Sequence, residues 1–226
     1  MTYDLYIGDR TFSSWSLRGW LMLEKFGLPY RTHLVGLYSG TMAADLAPLH
    51  PARLVPVLKT PDDEIIGETL AMAETLAERH PDAGLWPVSA GLRARARWLC
   101  AEMASGFTAL RDACPMQLQH VNQEFVPSGA VLADLHRLED IWTAARLMSG
   151  TEQGWLMGDY CLADVFFAPV AARVIGYDLP ASDESRTYCL KTIRDPAFQS
   201  WRAMGLKIRY DPFPYPTGCP TTEWPA

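Results

Sequence analysis

No Cys-x-x-Cys pair occurs in this chain, and its five cysteines, Cys100, Cys114, Cys161, Cys189 and Cys219, are scattered singly. An odd number without close pairs fits neither a zinc site nor a disulfide framework, and it points to a reducing compartment. The five histidines, at positions 33, 50, 80, 120 and 136, show no ligand spacing, so no metal is assigned. Long apolar runs are missing too. Nothing approaches the ~20 residues that cross a bilayer, and the start carries no basic-then-apolar secretory signal. A cytoplasmic protein without membrane contact is therefore expected. Cationic clusters are scarce in a chain of net charge −6. Arg93, Arg95 and Arg97 lie close together, but Glu102 and Asp112 follow on the same predicted helix, giving a solvated or interface face and arguing against a nucleic-acid partner.

What is present is an ordinary globular composition, 49% hydrophobic and 20% charged over 226 residues, enough for two modest domains with their own cores. In the first half, Tyr3 to Ile7 alternates as a strand, Leu17 to Phe26 reads as a helix closed by Gly27, and Tyr30 to Val35 is a second strand. Met42 to Leu46 forms a short helix. Leu54-Val55-Pro56-Val57-Leu58-Lys59 is an apolar, β-branched run with a proline inside it, which belongs at a strand start and marks Val55-Pro56 as a cis candidate. Asp62-Asp63 turn the chain into Glu64-Ile65-Ile66, and Gly67-Glu68-Thr69 opens the helix Leu70 to Arg79.

Two of these joints have chemical potential. Phe12-Ser13-Ser14-Trp15-Ser16 places three hydroxyls between a strand and a helix, where free N–H groups and roughly half a positive charge converge on an anion. Such hydroxyls cannot do redox chemistry, but they donate hydrogen bonds to a thiolate carried by a substrate. A helix start at Thr69 offers a second anion site suited to a carboxylate. Plain capping explains either joint by itself; two of them flanking a proline-kinked strand form one constellation.

The order β-α-β-α-β-β-α, with Ser13-Ser14-Trp15-Ser16 in the first turn, Val55-Pro56 before the third strand and Glu68-Thr69 at the last helix, resembles the thioredoxin-like domain of cytosolic glutathione transferases. The turn is similar to the Ser-Ser-Cys-Ser run of serine-type, zeta-like members, with Trp15 where those carry cysteine. The resemblance extends to about Arg209. It implies an α+β protein with a thioredoxin-like domain over residues 1–80, a linker at 81–90, an all-α helical domain over 91–209, and a Pro/aromatic-rich tail at 210–226. It implies also that Ser13, with Ser14 as runner-up, hydrogen-bonds the glutathione thiolate. Val55, ahead of Pro56, pairs by its backbone with the cysteinyl unit, and Glu68 and Thr69 hold the γ-glutamyl end.

In the second half, Gly91 to Ala113 and Ala130 to Met148 carry apolar residues at helical spacing and suit an antiparallel pair, with Pro115 to Pro127 as a polar link. A further helix, Asp164 to Val174, contains Pro169, and two more are expected at Glu184 to Ile193 and Pro196 to Met204, with Phe198 and Trp201 inward. Asp164 reads as structural: its carboxylate reaches back to the Cys161 N–H, while cysteine at the cap is a weak acceptor, so half of a capping box is expected. The tail from Tyr210 to Pro216 alternates aromatics and prolines and reads as a strap over the helical domain.

The expected function is a glutathione transferase, with glutathione as cosubstrate and no metal. A serine hydroxyl and a helix N-terminus would activate the thiolate against a small electrophile held against the second domain. Homodimerisation is implied by the resemblance. The alternatives are a glutathione-dependent isomerase of maleylacetoacetate isomerase type, a dehalogenase, or a non-catalytic binding or dimerisation module.

Overall fold

In the computed structural model, which describes residues 2–151, 154–209 and 213–225, strand β1 (Tyr3–Ile7) buries Tyr3, Leu5 and Ile7 while Asp4 and Tyr6 point to the opposite face. After it come helix α1 (Ser14–Glu24), β2 (Tyr30–Leu34), the short helix α2 (Met42–Leu46), β3 (Val57–Lys59), β4 (Ile65–Ile66) and α3 (Thr69–Arg79). The four strands form one mixed sheet in the order β2-β1-β3-β4. β1 runs parallel to β2, with Tyr3 opposite Tyr30, and antiparallel to β3, with Leu5 opposite Leu58; β3 and β4 are antiparallel. Leu5 and Leu58 are buried on the face that receives α1. Val57, on the other face, joins Val35, Leu46 and Leu49 in a second apolar layer.

Helix α1 begins three residues earlier than its apolar periodicity announces, because Ser13 caps it: its oxygen accepts from the Ser16 N–H at 3.3 Å. The loop ahead of it is tied by Asp9, whose carboxylate accepts from the N–H groups of Thr11 and Phe12 at 2.7 and 3.0 Å. Val55-Pro56 is cis, as expected; His50-Pro51 is cis as well, without a signal in the sequence reading.

The chain forms two compact units, Met1–Leu85 and Trp86–Ala226. The second contains α4 (Ala90–Ser105), α5 (Thr108–Ala113), strand β5 (His120–Asn122), α6 (Gly129–Ser149), α7 (Leu162–Gly176), α8 (Asp183–Ile193), α9 (Pro196–Gly205) and strand β6 (Thr221–Glu223). The single helix read over 91–113 is two. Phe107 adopts φ 56°, and a β-carbon at Gly106 would stand 2.9 Å from the Glu102 carbonyl oxygen, so the helix ends there and restarts. The stretch read as a polar link contains β5, which pairs antiparallel with β6. This partner lies about a hundred residues away and leaves no local signature. Residues 210–212 of the expected strap lie outside the described residues. The rest of the tail packs on the helical unit: Phe213 meets His120 at 5.5 Å between ring centroids, and Trp224 is buried beneath Arg202.

Every residue of α7 is buried, including Asp164 and the inward-bonded Arg173, so this helix is the axis of the unit. Asp164 accepts from the N–H groups of Leu156 and Cys161, each at 3.0 Å, and from the Tyr188 hydroxyl at 3.1 Å. Both halves of the capping box form, a correction to the half box expected. The Asp164 N–H also reaches the Cys161 carbonyl at 3.0 Å, so the weakly accepting thiol adds little. Phe198 and Trp201 point inward as expected.

Burial pushes the Asp164 carboxyl up to about 6 from its ordinary 3.8, against the donors that pull it down. Because the folded value exceeds the unfolded one, the folded state holds this proton more tightly. The carboxyl's own contribution to stability is therefore full below about pH 4 and falls as pH rises through about 6. Two pH units correspond to about 3 kcal/mol. Asp164→Asn is expected to be less stable than the parent, with the deficit larger at pH 4 than at pH 7. Denaturant melts across that range test it, and a deficit that grows with pH contradicts it.

Candidate active site

At the amino end of α1 the Ser13 side chain is 7% exposed and the Ser16 side chain entirely buried, and their hydroxyl oxygens are 2.7 Å apart. The Gly8 N–H donates to the Ser16 oxygen at 2.9 Å, which ties the end of β1 to the first turn of the helix. Ser14, half-buried at the first helical position, makes no hydrogen bond through its hydroxyl among the described residues. Trp15 follows, with the Arg18 guanidinium 4.3 Å from its ring centroid.

Close approaches bring this turn to the proline strand. A β-carbon at Gly19 would stand 2.9 Å from Pro56 Cγ, and one at Gly8 would stand 3.2 Å from Val55 Cγ2. Only glycine permits helix and strand end to approach this closely. Val55 lies just outside the ladder, which begins at Val57, so its backbone is not committed to the sheet.

A cleft of about 520 Å³ lies here, lined by Trp15, Arg53, Leu54, Val55, Pro56 and the segment Gly67 to Thr69, among others. It therefore gathers Val55, Pro56, Glu68 and Thr69. Ser13 and Ser14 are not among its walls; Trp15 is the member of the serine turn that reaches it. Two wall residues were missed in the sequence reading. Trp15 carries no signal in the sequence beyond its departure from a motif, and the signal of Arg53, two residues ahead of Val55, is a cation beside a proline-marked strand.

The far wall is the amino end of α3. Glu68 is its N-cap residue, with φ 59° and ψ 122°, and its side chain makes no capping bond, so among the described residues the first N–H groups of α3 lack the side-chain acceptor that a cap usually supplies. Thr69, expected at or near the cap, occupies the first helical position, 3% exposed, its hydroxyl unbonded among the described residues. Arg53 and Glu68 are exposed and have no ion-pair partner among the described residues. The cleft thus offers a cation, a carboxylate, the hydroxyl-bearing start of α3, Trp15 from the first turn of α1 and an uncommitted strand end. That set is complementary to an extended, zwitterionic peptide with carboxylates. Among the described residues no cluster of three His, Cys, Asp or Glu side chains gathers, and no helix is long and apolar enough to cross a membrane.

Comparisons with known proteins bear on the family and the fold. The model of the glutathione S-transferase N-terminal domain matches residues 12–79. A probable maleylacetoacetate isomerase of Caenorhabditis elegans is 30% identical over 179 residues, 79% of this chain and 81% of that protein. The maleylacetoacetate isomerase of Rattus norvegicus is 31% identical over 165 residues, 70% and 74% of the respective chains. Among solved structures, a glutathione transferase homologue from Burkholderia gl BGR1 with bound glutathione shares the fold at a TM-score of 0.68 and 24% identity, covering 92% of this chain and 100% of its own. Glutathione transferase Omega 2S from Trametes versicolor also reaches 0.68, at 22% identity, covering 91% and 96%. The chain belongs to the cytosolic glutathione S-transferase superfamily, a family of glutathione-dependent transferases and isomerases. Within it the chain is zeta-like, with a thioredoxin-like first domain and a helical second one.

The backbone of Glu68 sits where a side chain is disfavoured, at a cost on the order of 1–3 kcal/mol. Glu68→Gly is expected to raise stability by about 1 kcal/mol, after allowing for the added freedom of the unfolded glycine. Thermal melts of the two proteins check this, and a lowered melting temperature contradicts it.

Proposed function

We propose that the cleft binds glutathione, and that Ser13 donates a hydrogen bond to its thiolate at the amino end of α1. Glutathione fits the polar groups present. Its γ-glutamyl carboxylate suits the Thr69 hydroxyl and the open N–H groups of α3, its ammonium suits Glu68, and its glycyl carboxylate suits the Arg53 guanidinium. The cysteinyl peptide unit suits the backbone of Val55, held outside the ladder by Pro56. The convergence of Val55, Pro56, Glu68 and Thr69 on one cleft, with Trp15 of the serine turn, carries this reading.

When bound, glutathione supplies a nucleophilic thiolate. The chain's task is to favour that anion near neutral pH. A free thiol has a pKa near ~8.5, and lowering it by two units needs about 3 kcal/mol of preference for the anion. A hydrogen bond to a charged group contributes about 1.5–3 kcal/mol, and a helix terminus about 0.3–1 kcal/mol. The two together suffice, so no further base is required. Ser13 is placed ahead of Ser14 because its hydroxyl stands at the cap of α1, 3.3 Å from the Ser16 N–H of the first turn. Ser14, whose hydroxyl makes no hydrogen bond among the described residues, is the alternative donor.

The relatives named maleylacetoacetate isomerase favour a second reading of the same site, isomerisation of an unsaturated electrophile. An isomerase returns the thiol and a transferase consumes it. A small-molecule electrophile as second substrate, a homodimer and a cytoplasmic location complete the proposal.

Ser13→Ala is expected to raise the apparent pKa of bound glutathione by about one to two units, read from ultraviolet thiolate absorbance, with Ser14→Ala near the parent value. The reverse pattern moves the role to Ser14, and no shift in either variant overturns serine activation. Thr69→Val is expected to weaken glutathione binding about tenfold by calorimetry; unchanged affinity removes Thr69 from the site. Thiol loss during turnover with a maleylacetoacetate-type or a chloro-dinitrobenzene-type electrophile separates isomerase from transferase.

A further inference from the structure

The second unit holds a cleft of its own, of about 600 Å³, between the end of α6 and α8, lined by Arg146, Asp183, Glu184, Thr187, Tyr188 and Lys191 among others. Positions 184, 187, 188 and 191 follow at the three- and four-residue spacing that puts them on one face of α8. The wall they form carries the Asp183 and Glu184 carboxylates at the amino end of the helix and the Lys191 ammonium at the other, about 10 Å away along the axis. Arg146 reaches this wall from α6.

Arg146 is unusual for a buried cation. Its side chain is 5% exposed, its guanidinium lies 5.2 Å from the Tyr188 ring centroid, and Nη1 stands 3.1 Å from Glu184 Oε1. That approach is an ion pair and not a hydrogen bond: Nη1 is buried and its N–H groups meet no acceptor. A buried charged donor without an acceptor is a costly arrangement. Glu184, with half of its side chain exposed, covers the guanidinium with a carboxylate tethered to the first turn of α8. From there it does not form the parallel pair of bonds that a guanidinium and a carboxylate make when both are free to align.

We propose that this cleft is a second binding site, for a small carboxylic acid whose carboxylate takes the place of Glu184 on Arg146. An untethered carboxylate aligns with the guanidinium fork and gives Nη1 the acceptor it lacks. Thr187 and Lys191, on the same wall, add a hydroxyl and an ammonium, and the Lys191 Nζ is positioned 4.4 Å from the Trp155 ring centroid. Asp183 and the displaced Glu184 oppose an anion, so binding is weak and Glu184 acts as an internal competitor. The site lies wholly within the second unit and does not depend on the glutathione reading.

Glu184 and Lys191 are exposed, so variants at either position leave the core intact. Acetate titrated at fixed ionic strength, with chloride as the balancing anion, is expected to move the backbone NMR resonances of Thr187 and Lys191 saturably. Glu184→Gln removes the competitor and is expected to tighten acetate binding about three- to tenfold. Lys191→Ala is expected to weaken it about threefold, and Arg146→Lys, which keeps the charge and loses the fork, about tenfold. Where Arg146→Lys does not fold, the opposite signs of the Glu184 and Lys191 variants carry the test. Thr69→Val, in the first unit, is expected to leave this titration unchanged, which keeps its outcome separate from that of the glutathione cleft. Absence of saturable shifts in both the parent and Glu184→Gln overturns the site. An affinity that Glu184→Gln leaves unchanged or lowers overturns the displacement. Sulfate binding as tightly as acetate at the same ionic strength overturns the assignment to a carboxylic acid.

Discussion

The approach of α1 to Pro56 is the constraint on which the first unit depends. With no side chain at residue 19 the helix lies directly on the proline ring and on Leu5, and the turn ahead of it is carried to the end of the proline strand. A methyl group at Gly19 would have to displace Pro56, which precedes β3, and a packed interior does not absorb such a shift locally. The separation of the two halves of the cleft is thus set by a residue that is not among its walls. Gly8 repeats the device at the strand end, against Val55 and Leu37.

Within that frame the proposed activation of a thiolate draws on helix ends rather than on a titratable side chain. The first turns of α1 and α3 present N–H groups that no carboxylate side chain caps, and each is accompanied by a hydroxyl, Ser13 in one and Thr69 in the other. Fixed dipoles of this kind need no reorganisation when an anion arrives. Their cost is met elsewhere in the fold: Glu68 takes a backbone conformation that side chains avoid, and Ser16 buries a hydroxyl that needs two partners.

The second unit is organised around a different polar knot. Asp164, wholly buried at the start of α7, receives two backbone N–H groups and the Tyr188 hydroxyl, and so joins the loop at Leu156, the helix start at Cys161 and α8 at one carboxylate. The aromatic ring of Tyr188 packs against Trp142 of α6, which extends the knot into the core. A single acceptor with three donors specifies the relation of these elements more sharply than apolar packing does, since losing any donor leaves a buried charge less satisfied.

Local periodicity was enough to read β1, α2 and α9 nearly to their ends, and the proline inside an apolar run was enough to place a cis bond at Val55-Pro56. Serines at a strand-to-helix joint and Glu68-Thr69 at another were legible as anion-binding starts, because N-cap chemistry is written within four residues. The rest depends on partners distant in sequence. The break at Gly106 follows from a carbonyl one turn away, and β5 exists only because β6 returns to it from the tail. Arg53 and Trp15 gain meaning only when the cleft has two walls. The amino-acid sequence by itself therefore determined the elements, their order and the polar groups at their ends, since these follow from spacing and capping. Tertiary structure alone decided that Gly19 meets Pro56, that Gly8 feeds Ser16, and that two helix starts share one cleft. Those relations arise where close packing brings together residues whose separation along the chain carries no local signal.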